Sequence, residues 1–212
     1  MKFDYIIIGA GSAGCVLSNR LSENQDNKVA VFEAGGSSDI WKVKMPIALL
    51  YTIHDPKYNW KYYSEPEPHL NNRRLFCPRG KMIGGCSAHN GMVFVRGNRN
   101  DYERWENFGL KSWSYEKILP YFKKIETWSG GESQYRGSFG PLPVNQSKND
   151  NPLFKAFISS ASEAGHLVNP DMNGEEQEGF GMLDTTIHNG QRASAAKYYL
   201  NPAKKRKNLN IF

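Results

Sequence analysis

The hydrophobic pattern opens with an unbroken apolar run from Tyr5 to Ile8, closed by Gly9. A run without alternation predicts a parallel strand buried on both faces. Over residues 13–23 the apolar positions Ala13, Val16, Leu17 and Leu21 recur at helical spacing, and residues 28–32 read as a second strand ending at Glu33. Further along, residues 114–124 carry helical apolar spacing at Ile118, Leu119 and Phe122. Residues 151–165 predict an amphipathic helix with Asn151 as N-cap, Pro152 at its first position and Gly165 near its end, burying Phe154 and Ile158. Residues 141–144 and 180–187 read as strands, residues 192–200 as a helix, and residues 209–212 as an apolar strand. Trp105, Trp113 and Trp128 are expected to fill the core. Residues 41–70, rich in aromatics and prolines, show no clean period.

Between the first strand and helix lies Gly9-Ala10-Gly11-Ser12-Ala13-Gly14, a G-x-G-x-x-G sequence. Gly9 permits the tight turn, Gly11 lets backbone approach a pyrophosphate, and Gly14 lets the helix lie close on the sheet. The helix N-terminus, at Ser12 and Ala13, offers free N–H groups and the positive end of its dipole. Glu33 can accept hydrogen bonds from ribose hydroxyls and would repel a 2′-phosphate, which disfavours NADP. Strand, helix and terminal acid all stand where a dinucleotide site needs them. The motif alone leaves NAD and FAD open.

Composition narrows the setting. The charged and hydrophobic fractions are those of a soluble globular protein, and no apolar run approaches the roughly 20 residues of a membrane helix. Without a signal-peptide pattern at Met1, a cytoplasmic location is expected. The net charge of +6 is densest at Lys204-Lys205-Arg206-Lys207, a short cluster that reads as a solvated loop, not a nucleic-acid surface. Cys15, Cys77 and Cys86 lack metal-knuckle or disulfide spacing and are expected as reduced thiols. Neither His54 nor His69 has a catalytic or metal-ligating partner in the sequence, and no metal site is expected.

The most distinctive stretch runs from Cys77 to Arg104, CPRGKMIGGCSAHNGMVFVRGNRNDYER, followed by Trp105. Its density of Gly, Ser, Asn and His reads as an extended loop presenting N–H groups to a polar or anionic ligand. Gly84 and Gly85 would allow close approach, and Asn90 offers both donor and acceptor. Residues 92–95 read as a short buried turn or helix start.

The order Pro78-Arg79-Gly80-Lys81, Gly84-Gly85-Cys86-Ser87, Asn90-Gly91-Met92, Arg96-Gly97 and Asp101-Tyr102 with Trp105 resembles the first signature of the glucose–methanol–choline (GMC) oxidoreductases. Glu33-Ala34-Gly35, Tyr58-Asn59-Trp60-Lys61-Tyr62, Gly140-Pro141-Leu142 and Asn189-Gly190-Gln191-Arg192 extend the likeness over essentially the whole chain. The resemblance, strongest to choline- and alcohol-dehydrogenase-like members, implies an α/β fold. A Rossmann-like, FAD-binding parallel-sheet domain would be joined by the beginning of an α+β antiparallel-sheet substrate domain. Residues 1–140 would form the FAD-binding part, residues 141–190 the start of the substrate domain and residues 191–212 a return to the first. The chain is expected to be C-terminally truncated.

The implied function is oxidation of a CH–OH donor, a small-molecule alcohol, by hydride transfer to flavin N5. The alternative is a catalytically inactive FAD-binding module. By position the resemblance carries cofactor contact onto Gly9, Gly11, Ser12, Ala13, Gly14, Glu33, Ala34, Arg79, Gly84, Gly85, Ser87, His89, Asn90, Gly91, Met92 and Val93. No catalytic residue is assigned, because the family's proton-accepting histidine lies beyond Phe212. His89 stands where a histidine is joined to the flavin 8α carbon in some members. Two readings stay open for it, a covalent flavin link and a hydrogen-bonding loop histidine. The substrate alcohol and the acceptor that reoxidises the flavin are not legible in the sequence.

Overall fold

The computed structural model describes residues 1–212, which form two compact units: Met1–Met92 with Asn189–Phe212, and Val93–His188. The chain re-enters the first unit at Asn189. The helices after residue 98 belong to the second unit.

In the first unit, strand β1 (Tyr5–Ile8), helix α1 (Ser12–Leu21) and strand β2 (Val29–Phe32) follow one another as the pattern predicts. The strand Leu209–Ile211 completes a parallel sheet with β2 in the middle. Val29, Ala30 and Val31 are fully buried. On β1 only Ile7 is buried, while Ile6 and Ile8 are 62% and 82% exposed. Strand side chains alternate between faces, and α1 lies on the Ile7 face alone, so the expectation of burial on both faces fails for β1.

The buried stripe of α1 also differs from the apolar spacing. Gly14, Cys15, Ser18 and Asn19 face inward, and Leu17 is half exposed. The reason is distance: a Cβ on Gly14 would lie 1.9 Å from the Gly9 carbonyl oxygen, and a helix held that close leaves room only for small side chains. Their polar atoms are satisfied internally. Ser18 Oγ donates to the Gly14 carbonyl and Ser22 Oγ to that of Ser18. Asn19 Nδ2 donates to the Tyr199 carbonyl at 2.7 Å. Residues 192–200 form a π-type turn, Ala196–Leu200, followed by the short helix Asn201–Ala203 in place of one regular helix. In the basic cluster Lys204, Lys205 and Lys207 are exposed. Arg206 instead donates to the Asn19 carbonyl and Ser22 Oγ at the C-terminal end of α1, where a cation favours the helix dipole.

The second unit holds a four-stranded sheet in the order Val93–Phe94, Asp184–Thr185, Leu142–Gln146, Glu126–Trp128. The first two pairings are antiparallel and the last is parallel. Val93–Phe94 is thus a strand rather than a turn or helix start. Helices Arg99–Asn107, Tyr115–Ile125 and Pro152–Glu163 accompany the sheet. The last is capped as expected, with Asn151 accepting from the Leu153 N–H and Gly165 at φ +81°. Trp105 and Trp113 are substantially exposed, so only Trp128 of the three tryptophans meets the core expectation in part. No helix is long and apolar enough to cross a membrane.

Candidate functional site

Gly9 leaves β1 at φ +91°, a conformation that glycine adopts without strain, and its N–H donates to the Phe32 carbonyl. Gly11 then occupies the N-cap of α1 with no side-chain cap, and the first turn holds no acidic residue. The N–H groups of that turn have no intrahelical partners. A Cβ added at Gly9 or Gly11 would meet nothing within 4 Å. The turn therefore faces open space, with Ser12 and Ala13 exposed beside it, and this is the geometry that receives a pyrophosphate. At the end of β2, Glu33 accepts from the Ala10 N–H at 2.7 Å and the Gly35 N–H at 2.9 Å. Each carboxylate oxygen still has acceptor capacity, so the acid is held in place with room for a ribose hydroxyl. Ala34 beside it is exposed.

The loop that follows Arg79 is seated directly on this turn. The Gly84 N–H donates to the Ala10 carbonyl at 2.6 Å, and the Ile83 N–H to that of Gly36 at 3.0 Å. A Cβ on Gly85 would lie 2.8 Å from the Gly11 Cα, and one on Gly84 would lie 3.0 Å from the Ala196 Cβ. Packing of protein on protein thus already favours glycine at both positions. Ser87 is likewise committed inward: its Oγ donates to the Gly84 carbonyl and accepts from the Ala195 N–H.

His89 is 4% exposed and its Nδ1 has no hydrogen-bond partner. Burial, with the Arg192 and Arg79 charges adding to it, holds its pKa below the ordinary histidine value, so the ring is neutral at neutral pH. Asn90 and Gly91 are exposed, and Met92 is buried at φ +61°. Asn90 Oδ1 accepts from the Met92 N–H at 3.1 Å. Val93 opens a strand of the other unit and is half exposed. Arg79 is exposed, and its guanidinium donates to its neighbour, the Pro78 carbonyl, at 2.8 Å.

Sequence reasoning missed Arg192. This side chain is 2% exposed and reaches across about 100 positions of sequence to the same loop. Its Nε donates to the Val43 carbonyl at 3.1 Å, and its Nη1 donates to Asn90 O at 2.7 Å and Asn90 Oδ1 at 2.9 Å. No carboxylate pairs with it, and burial alone pushes its pKa down to about 10. The run Asn189-Gly190-Gln191-Arg192 marked this stretch, but nothing in sequence spacing pointed to contact with residue 90. The three cysteines are free thiols. Cys15 donates to the Ala10 carbonyl, and burial pushes its pKa up to about 12, so it is inert as a nucleophile.

Comparison with known proteins agrees with this arrangement. The sequence model described as GMC oxidoreductase matches residues 3–212. An oxygen-dependent choline dehydrogenase of Rhizobium etli is 52% identical over 211 residues, covering 100% of this chain and 38% of that protein. A solved pyridoxine 4-oxidase from Mesorbium loti superposes with a TM-score of 0.94 at 32% identity, over 100% of this chain and 42% of that one. An FAD-dependent oxidoreductase from Chaetomium thermophilum does so with a TM-score of 0.88 at 27% identity, over 100% of this chain and 38% of that one. The chain therefore spans about two fifths of the length of the proteins it matches.

Proposed function

The chain belongs to the GMC oxidoreductase family as its N-terminal FAD-binding module, and from that premise we propose that it serves an enzyme oxidising a primary alcohol of the choline type. The observation that carries this reading is the seating of the Gly84–Asn90 loop on Gly11. It brings the glycine turn, Glu33 and the His89–Asn90 pair into one unit around open space. Bound FAD would supply the hydride acceptor that no side chain can provide. The chain's own residues bind and orient. The α1 N-terminus would hold the pyrophosphate and Glu33 the ribose, and the exposed Asn90 and Gly91 would contact the flavin. Ser12, Ala13, Ala34, Arg79, Ser87 and Met92 complete the proposed contact set within the first unit.

For His89 the proposal is a covalent link to a bound flavin: an imidazole nitrogen would add at the 8α carbon as that methyl loses a proton, and the electron pair left on the flavin would pass to the enzyme's own electron acceptor. A neutral imidazole with an unpartnered buried nitrogen supports it, since only the neutral ring has a lone pair to offer.

One experiment reads both parts. The flavin-loaded protein carrying this sequence is mixed anaerobically with choline and a panel of other primary alcohols, then precipitated with acid. Bleaching of the visible flavin band by a choline-type alcohol is expected, with the yellow colour remaining in the pellet. A band that no alcohol bleaches contradicts the function. Full release of flavin into the supernatant contradicts the link to His89 alone.

A further inference from the structure

Asn90 Oδ1 is the meeting point of two donors, the Met92 N–H and Arg192 Nη1. Only an oxygen can accept from both. Turning the amide over would set an NH2 group against a guanidinium and a backbone N–H, losing a charge-assisted hydrogen bond and a neutral one together. The orientation of Asn90 is thereby fixed, and its Nδ2 hydrogens have no acceptor within the protein. The residue is exposed, so those hydrogens are available to a ligand.

The holder of that arrangement is itself unusual. Arg192 is buried with no carboxylate partner, and three of its hydrogen bonds serve two carbonyls and the Asn90 side chain. A buried charge spent on backbone acceptors is costly. A methionine of similar volume would fill the space without that cost, but it could not discriminate the two ends of an amide.

We propose that Arg192 is a positioning residue that makes Asn90 a fixed hydrogen-bond donor toward the acceptor-rich edge of the flavin, an inference that rests on the FAD reading above. Arg192 touches no reacting atom. It acts through Asn90, and through its charge it also helps keep the neighbouring His89 ring neutral, together with Arg79.

Three variants of the chain, N90D, R192M and the double variant, test this by FAD titration, thermal melting and side-chain amide NMR. In N90D a carboxylate still accepts from Arg192 and Met92, so the melting temperature should hold or rise. The donor is gone, however, and FAD affinity should fall about tenfold, the worth of one hydrogen bond. R192M should weaken FAD by a similar factor and broaden the Asn90 amide pair in the ligand-free chain as the amide begins to flip. Because Arg192 works through Asn90, the double variant should bind little worse than either single one. Wild-type affinity in N90D overturns the proposal. So do losses that add in full in the double variant, which is what a merely structural arginine would give. Should R192M fail to fold, N90D decides alone, since it leaves Arg192 in place. A wild-type chain with no FAD affinity overturns the function reading instead. The ligand-free Asn90 signals then decide this inference, and an amide pair unchanged in R192M sinks it.

Discussion

Gly14→Ala will abolish detectable FAD binding and lower the melting temperature. The new methyl would stand 1.9 Å from the Gly9 carbonyl oxygen and 3.0 Å from its carbon. Both are backbone atoms that no rotamer change can move aside. Relief requires α1 to withdraw from β1, and overpacking of this kind costs about 1–3 kcal/mol or more. For a chain of this size that amounts to roughly 2–4 °C of melting temperature per kcal/mol. The same withdrawal carries the helix N-terminus away from the pyrophosphate position and separates Ala10 from Glu33, whose bond is 2.7 Å long. Gly11→Ala is the informative partner. Its methyl meets no protein atom within 4 Å, so the fold should melt as wild type while FAD affinity drops, because the methyl enters space the ligand uses. If Gly14→Ala bound FAD normally, the close helix–strand contact would have no functional weight.

The largest stability loss is expected from Glu126→Ala in the second unit. Glu126 is fully buried between two arginines. Oε1 accepts from Arg96 Nη2 at 2.7 Å, from Arg136 Nε at 2.9 Å and from the Gly137 N–H, and Oε2 accepts from Arg136 Nη2. Arg136 also pairs with Asp171 and Asp184 and lies 4.1 Å from the Trp128 ring centroid. Removing the carboxylate leaves the buried Arg96 guanidinium with no carboxylate partner and takes two hydrogen bonds from Arg136, a change that costs about 3–5 kcal/mol. Urea unfolding followed by circular dichroism should show a lower midpoint, with the extrapolated unfolding free energy reduced by about 3–5 kcal/mol. Glu126→Gln keeps an acceptor and the shape and should lose less. An unchanged midpoint in Glu126→Ala would mean that the network does not hold this unit together.

The contrast between these two sites shows what the sequence could and could not disclose. Gly9, Gly11, Gly14 and Glu33 are legible because their job is local: a strand, a turn, a helix and an acid at fixed spacing. The helix cap at Asn151 is legible for the same reason. The buried face of α1 was misread, because a helix pressed against a glycine buries Ser18 and Asn19 where a helical wheel favours Leu17. The exposure of Ile6 and Ile8 depends on what lies over each face of β1, which no run of side chains declares.

Nothing in the sequence spacing of Glu126, Arg136 and Arg96 marks them as partners, since burial of an ion network is a tertiary fact. Arg192 is the same case within the candidate site. It meets Asn90 only after the chain has passed through the whole second unit and returned. At the loop glycines Gly84 and Gly85 the atoms that crowd an added Cβ belong to Ala196 and Gly11, neighbours that sequence spacing does not disclose.

We propose that the first unit is built to hold FAD through the α1 N-terminus and Glu33. Its most direct test is calorimetric titration of the folded chain with FAD, with NADP as the comparison ligand. Saturable FAD binding that Glu33→Ala weakens is expected, and no comparable heat from NADP, whose 2′-phosphate Glu33 would repel. A chain that is folded by circular dichroism yet gives no saturable heat with FAD would contradict it.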